Sequence, residues 1–279
     1  RPTMNPDTLI PLAEAADALD SNSRLLRMFE LETLIAAEPD SPEKHRALAR
    51  VYAALGRYQS AFTHFQAAAN RQDPQDRADF AYLQNLAQSY GDDKQRAERP
   101  LPITPELKAS LPAFKYCPDP LASGIFRTQE KAVPCDCCQR DTHVFYTHPF
   151  YSYDDINALC PECIAGGRAA EELEGEFVIR DDVSQEIGKA QQDELCLRTP
   201  SYSSWQEAQW ADHCGDYCAF VGYASWEDLQ RQGIAEGIEW LGSPPEPEER
   251  PYIRSSGSMV GCLFRCLHCG QHILHVDLD

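Results

Sequence analysis

Cysteines paired at Cys135/Cys138 and Cys160/Cys163, and again at Cys214/Cys218 and Cys266/Cys269, constrain this chain more than any other feature. Thiols two to four residues apart are how proteins gather a tetrahedral zinc ion, so the part of the chain that carries them is expected to fold around metal. In the first set 21 residues separate Cys138 from Cys160, and in the second 47 separate Cys218 from Cys266. Each ion then closes a long loop, and its binding energy becomes folding energy. The expected cofactor is zinc, two ions: one held by Cys135, Cys138, Cys160 and Cys163, the other by Cys214, Cys218, Cys266 and Cys269. The second set stays open at one corner. Cys214-Gly215-Asp216-Tyr217-Cys218 is wider than a standard knuckle, and His213 or Cys262 can replace one of its cysteines. Cys266-Leu267-His268-Cys269-Gly270 is a standard knuckle, with Gly270 supplying the left-handed turn that aims amides at sulfur.

Two complete thiolate sets point to structure and not to hydrolysis, because catalytic zinc keeps a corner for water. The chain has no Gly-rich phosphate loop, no Gly-x-Ser-x-Gly and no His-Glu-x-x-His, and it is read as a non-enzyme with no catalytic residues. The remaining cysteines, Cys117, Cys137, Cys196 and Cys262, are expected to pack in cores. Cys137 is the exception, since a thiol beside a zinc-thiolate cluster can exchange with it or oxidise. Zinc is favoured over disulfides by the expected setting, a reducing cytoplasm. Arg1-Pro2-Thr3-Met4 opens no secretory apolar run, and the longest apolar stretch, Tyr217 to Ala224, is far short of the roughly 20 residues a membrane span needs.

The 279 residues suggest two domains. Residues 5–98 have a helical pattern, with Leu12 to Leu19 and Leu25 to Ala37 forming one helix pair. Ser41 to Pro74 places Leu48, Ala49, Tyr52, Gly56, Tyr58, Ala61, Phe65 and Ala68 at tetratricopeptide-like positions, and Arg77 to Tyr90 repeats the spacing at Leu86, Ala87 and Tyr90. A plain helical bundle buries the same stripe, so the pattern does not establish a ligand groove. Gly91 to Pro105 reads as a proline-stiffened connection, which places a boundary near residue 100. Beyond it, Thr142 to Tyr146 and Glu176 to Arg180 are expected as strands, and Ile164 to Leu173, Ser203 to His213 and Trp226 to Arg231 as helices. Gly261 to Phe264 and Gln271 to Leu278 make a hairpin around the last cysteine pair, and Leu241 to Pro251 an exposed loop. The predicted class is α+β: a helical-repeat-like domain over 1–100, then a zinc-built domain over 101–279 with zinc-ribbon-like knuckles and short strands.

Several of these passages together resemble the CbrC-like family of bacterial colicin-tolerance proteins. They are Phe114-Lys115-Tyr116-Cys117-Pro118-Asp119-Pro120, Tyr146 to Ser152 with Cys160 to Gly167, Arg198 to Gln206, Trp210 to Phe220, and Phe264 to Gly270. The likeness covers about residues 111–279. Gln139 stands where the family pattern leads one to expect glycine, and residues 1–100 are an addition to it. The resemblance implies tolerance to a bacterial toxin without specifying the chemistry.

Charge narrows the partner. Of the net −19, residues 1–100 contribute −3 (12 basic, 15 acidic) and residues 101–279 contribute −16 (13 basic, 29 acidic). Four thiolates around a divalent ion add a further −2 per site, so Coulomb's law opposes direct nucleic-acid contact and favours a basic protein partner. A nuclease toxin, basic because it grips phosphate, fits that description, with Tyr151-Ser152-Tyr153-Asp154-Asp155 as expected contacts. An adaptor joining two partners and a thiol-dependent oxidoreductase using Cys137 are the rival readings.

Overall fold

A computed structural model describes residues 4–17, 19, 21–206 and 208–279 of the chain. It divides into two compact units, the first running to Pro102 with Thr128–Lys131, the second holding Ile103–Arg127 and Ala132–Asp279.

The first unit is helical: α1 (Leu9–Asp17), α2 (Ser21–Ala36), α3 (Pro42–Ala54), α4 (Tyr58–Ala68) and α5 (Pro74–Tyr90). Local chemistry sets two of the starts. Ser41 accepts from Lys44 N and Asp73 from Gln75 N and Asp76 N, each followed by a proline in the first turn, where its missing N–H costs nothing. The apolar stripes of α1 to α3 close one core around Leu9, Ala13, Met28, Leu31, Ile35, Leu48 and Val51. Ala49, Ala61, Phe65 and Leu83 close a second, the small residues bringing α3 and α4 together and Phe65 filling the space. Arg46 grips the Asp76 carboxylate through both terminal nitrogens, at 2.9 and 2.5 Å, while Asn70 N donates to the same group at 2.6 Å. That pairing holds the Asp76 carboxyl down to about 2, the Arg46 bond being the main cause. In the expected Leu12 to Leu19 helix, Ala18 lies outside the described residues, as do Arg1, Pro2 and Thr3 of the opening segment.

The second unit mixes short helices with small sheets. β1 (Phe126–Pro134), whose Thr128–Lys131 are assigned to the first unit, and β2 (Asp141–Tyr146) form a two-stranded sheet. After α6 (Pro105–Ser110) the remaining helices are α7 (Pro161–Ala165), α8 (Arg168–Glu172), α9 (Lys189–Arg198) and α10 (Trp226–Arg231). The hairpin of β3 (Asp212–His213) and β4 (Asp216–Tyr217) precedes a four-stranded sheet. That sheet comprises β5 (Ala219–Ala224), β6 (Glu239–Leu241), β7 (Met259–Arg265) and β8 (His272–Leu278), ordered β5-β7-β8-β6. All its pairs are antiparallel except β6 with β8. Tyr202 stacks on Phe220 at 4.8 Å, with Trp210 and Phe264 against them, so the core lies directly behind the β3–β4 hairpin.

Three expected elements differ. Ser203 to His213 is irregular except for β3 (Glu207 within it lies outside the described residues). Its tryptophans are bound to backbone elsewhere, Trp205 Nε1 donating to Gly257 O and Trp210 Nε1 to Cys218 O, while the main-chain N of Trp205 donates to the Asp277 carboxylate and Gln209 O accepts from Tyr202 Oη. Ile164 to Leu173 is two short helices, because the chain turns left-handed at Gly167 (φ 73°). Glu176 to Arg180 forms no strand; only Glu176 bridges Tyr151, and the Glu176 carboxylate draws in Arg180 N to start a turn. β1, α6, α9, β5 and β6 lie outside the sequence expectations.

Candidate metal centres

The first centre grows from the end of β1. Cys135 N donates to Arg140 O at 2.9 Å and Gln139 N to Cys135 O at 2.8 Å, folding Cys135 to Cys138 into a knuckle before β2 begins. Gln139 takes the left-handed position (φ 60°), a conformation that glycine adopts without strain. The second half is placed by backbone. Tyr146 and Leu159 bridge, and Asp136 accepts from Asn157 N (2.6 Å) and Ala158 N (3.0 Å), clamping the approach to Cys160 onto the first knuckle. Cys160 then caps α7 and Cys163 sits one turn inside it. The sulfurs of Cys135, Cys138, Cys160 and Cys163 all lie within 4.8 Å of one another. Cys138 and Cys160 are 3.8 Å apart, the edge of a tetrahedron with metal–sulfur bonds of about 2.3 Å.

The electrostatics of this cluster favour a cation. Cys160 N donates to Cys135 Sγ at 3.2 Å and Arg140 Nε to Cys138 Sγ at 3.5 Å. A hydrogen bond from Cys160, then backbone amides, hold the Cys135 thiol well below the usual thiol range, while Cys160 is pushed well above it by donating to Cys135. Burial does the same to Cys163. Crowded sulfurs thus resist full ionisation by themselves, and a divalent ion bound among them would replace the protons that hold them together. Cys137 stands beside them, half-buried, donating to Glu172 at 3.6 Å. Burial raises its pKa.

The second centre differs from the expected set at one corner. Its ligand atoms within 4.8 Å of one another belong to His213, Cys214, Cys266 and Cys269. The reason is the β3–β4 hairpin: His213 pairs with Asp216, leaving Cys214 (φ 54°) and Gly215 (φ 76°) as a two-residue turn of the type that asks for positive φ at both positions. His213 and Cys214 thereby reach the tip, and Cys218 falls on the inward run of the returning chain. Cys218 is fully buried, its thiol pushed up to about 12 by that burial. Cys262, the other stand-in, is buried in β7. His213 Nδ1 lies 3.2 Å from Cys214 Sγ and 3.3 Å from Cys269 Sγ, close to the roughly 3.5 Å edge of a mixed nitrogen and sulfur tetrahedron. Its other nitrogen faces Glu239 at 3.9 Å, the carboxylate arrangement that orients a metal-bound imidazole. His268 N donates to Cys266 Sγ at 3.4 Å. Burial works against ionisation of Cys266, but these amides and His213 outweigh it and hold the thiol down to about 6. Cys214 and Cys269 are exposed.

Glu239 and Asp216 were missed from the sequence, both being brought in by strand pairing. His213 is legible in the sequence as a stand-in ligand next to Cys214.

The family model described as an uncharacterised protein family, UPF0167, matches residues 111–278, which takes in both centres. The chain belongs to the UPF0167 family. UPF0167 relatives include a protein of Pseudomonas aeruginosa, 37% identical over 185 residues, covering 62% of this chain and 99% of the relative. UPF0167 proteins of Mycobacterium bovis and Mycobacterium tuberculosis are each 32% identical over 184 residues, covering 60% of this chain and 93% of theirs. No solved structure matches the chain. Both ligand sets fit a four-coordinate ion that prefers sulfur and imidazole, as zinc does, and neither leaves a corner among its own donors for solvent.

Proposed function

We propose that this UPF0167 protein is a zinc-held acidic binding protein that captures a basic protein partner, in the toxin-tolerance role implied by its resemblance to CbrC-like proteins. The observation that carries the reading is the coincidence of saturated donor sets with a charge of −16 on residues 101–279. Zinc builds the scaffold, and the acidic surface then steers a cationic partner into contact. Tyr153 is 97% exposed beside exposed Asp154 and Asp155, on the loop whose far end Asp136 clamps. It is an aromatic anchor within a negative rim.

The helices α1 to α5 are read as a tetratricopeptide-like extension that recruits or tethers, with Tyr82 on α5 66% exposed. No helix among the described residues is long and apolar enough to cross a membrane, and thiolate metal sites favour a reducing cytoplasm as the setting. A non-enzymatic role is preferred to thiol oxidoreduction because the raised pKa of Cys137 lowers its thiolate fraction.

The test is a titration of the zinc-loaded chain with a purified basic nuclease domain from a colicin-type toxin, by calorimetry at low and moderate salt. A one-to-one complex whose affinity falls as salt rises, and that Tyr153→Ala together with Asp154→Asn weakens about tenfold or more, supports the reading. Absence of any complex at low salt overturns it.

A further inference from the structure

The carboxylate of Asp216 joins three distant stretches of the second unit. It is only 6% exposed and lies on β4 directly opposite His213. Its Oδ1 accepts from Tyr116 Oη at 2.6 Å and from Tyr217 N at 2.9 Å. Its Oδ2 accepts from Lys115 Nζ at 2.8 Å and from His268 Nε2 at 3.2 Å. Lys115 Nζ also donates to Tyr116 Oη at 2.9 Å, which makes the three side chains one network. A carboxylate this buried persists only when donors saturate it, and four do so here.

The position of His268 gives the network its consequence. It stands between Cys266 and Cys269, so one carboxylate grips both the knuckle that presents those sulfurs and the hairpin that presents His213 and Cys214. Ligand loops that must be ordered when the ion arrives lose affinity to that ordering, and loops already docked do not.

We propose that Asp216 is a positioning residue that presets the second metal centre, docking its knuckle against its hairpin in the absence of the ion. The proposal rests on the reading of His213, Cys214, Cys266 and Cys269 as a zinc site. It makes Lys115 and Tyr116, from the Phe114 to Pro120 motif, part of the support of a centre about 100 residues further along the chain.

The test uses the full chain loaded with zinc, titrated against a chromophoric chelator, with cobalt substitution to tell a four-sulfur site from a three-sulfur, one-nitrogen site. Asp216→Asn is expected to weaken one of two sites about 10- to 100-fold, the one with the mixed cobalt spectrum, and to leave the four-sulfur site unchanged. His268→Gln, at a side chain 55% exposed, removes one contact and is expected to weaken the same site about fivefold, so the inference stays decidable if Asp216→Asn does not fold. Retention of both affinities in the variants that fold, or an equal loss at the two sites, overturns the proposal. Binding of a single ion by the unsubstituted chain sinks the second-centre reading and the proposal with it.

Discussion

The two candidate centres use the same knuckle chemistry but belong to different environments. In the first, three of the four cysteines are buried, the donors are all sulfur, and Asp136 ties one half to the other through backbone amides. In the second, Cys214 and Cys269 are exposed, one donor is an imidazole backed by Glu239, and the halves meet through the Asp216 carboxylate. The first turns on Gln139 in a left-handed conformation and the second on Gly270 (φ 79°). Burial and an all-sulfur donor set predict that loss of the first centre disrupts its unit more, and the exposure of Cys214 and Cys269 predicts that a chelator reaches the second centre first.

That contrast can be broken at several strengths. The largest effect is expected from Cys160→Ser, which should remove one ion and cooperative unfolding of the second unit, a loss on the order of 10 kcal/mol of metal-linked folding energy. Near-ultraviolet circular dichroism with metal analysis reads it, and native-like unfolding with one ion missing would overturn that ranking of the centres. Next comes the disputed corner. His213→Ala should lower metal content from two ions to one, whereas Cys218→Ala should keep both and cost about 1–2 kcal/mol for the small cavity it leaves. The reverse outcome would restore the four-cysteine set.

The first unit supplies a metal-independent reference. Asp76 is held down to about 2 when folded, against about 3.9 when unfolded, so its contribution is complete above pH 4 and fades as pH falls toward 2. Asp76→Asn should therefore be less stable than the parent by roughly 1–2 kcal/mol at pH 6, with the two denaturant curves converging near pH 2. A gap that does not depend on pH would mean that the charge of the pair is irrelevant. The smallest effects test the turns. Gln139→Gly should stabilise and Gly270→Ala destabilise by about 1 kcal/mol each, seen as opposite shifts in melting temperature of the zinc-loaded chain.

Legibility from sequence followed the range of the interaction. The helices of the first unit could be read because caps such as Ser41 and Asp73, the prolines after them and the apolar stripes are all local signals. The strand at Thr142 to Tyr146, α10 and the terminal hairpin were legible for the same reason. Ser203 to His213 misled because its path is set by partners far away in the chain: Trp205 N donates to the Asp277 carboxylate and Trp205 Nε1 to Gly257 O. Strand β6, three residues long and paired in parallel with β8, carries almost no local pattern.

By itself the sequence determined which sulfurs could meet in the first centre, because two short loops carry all four ligands and only their closure was needed. It also determined the acidity of the second unit, which is a matter of counting. Only tertiary structure decided that His213 and not Cys218 completes the second cluster, and that Glu239 and Asp216 support it. Hairpin register selects which neighbour reaches the tip and which turns into the core, and that choice depends on pairing between residues far apart in the chain.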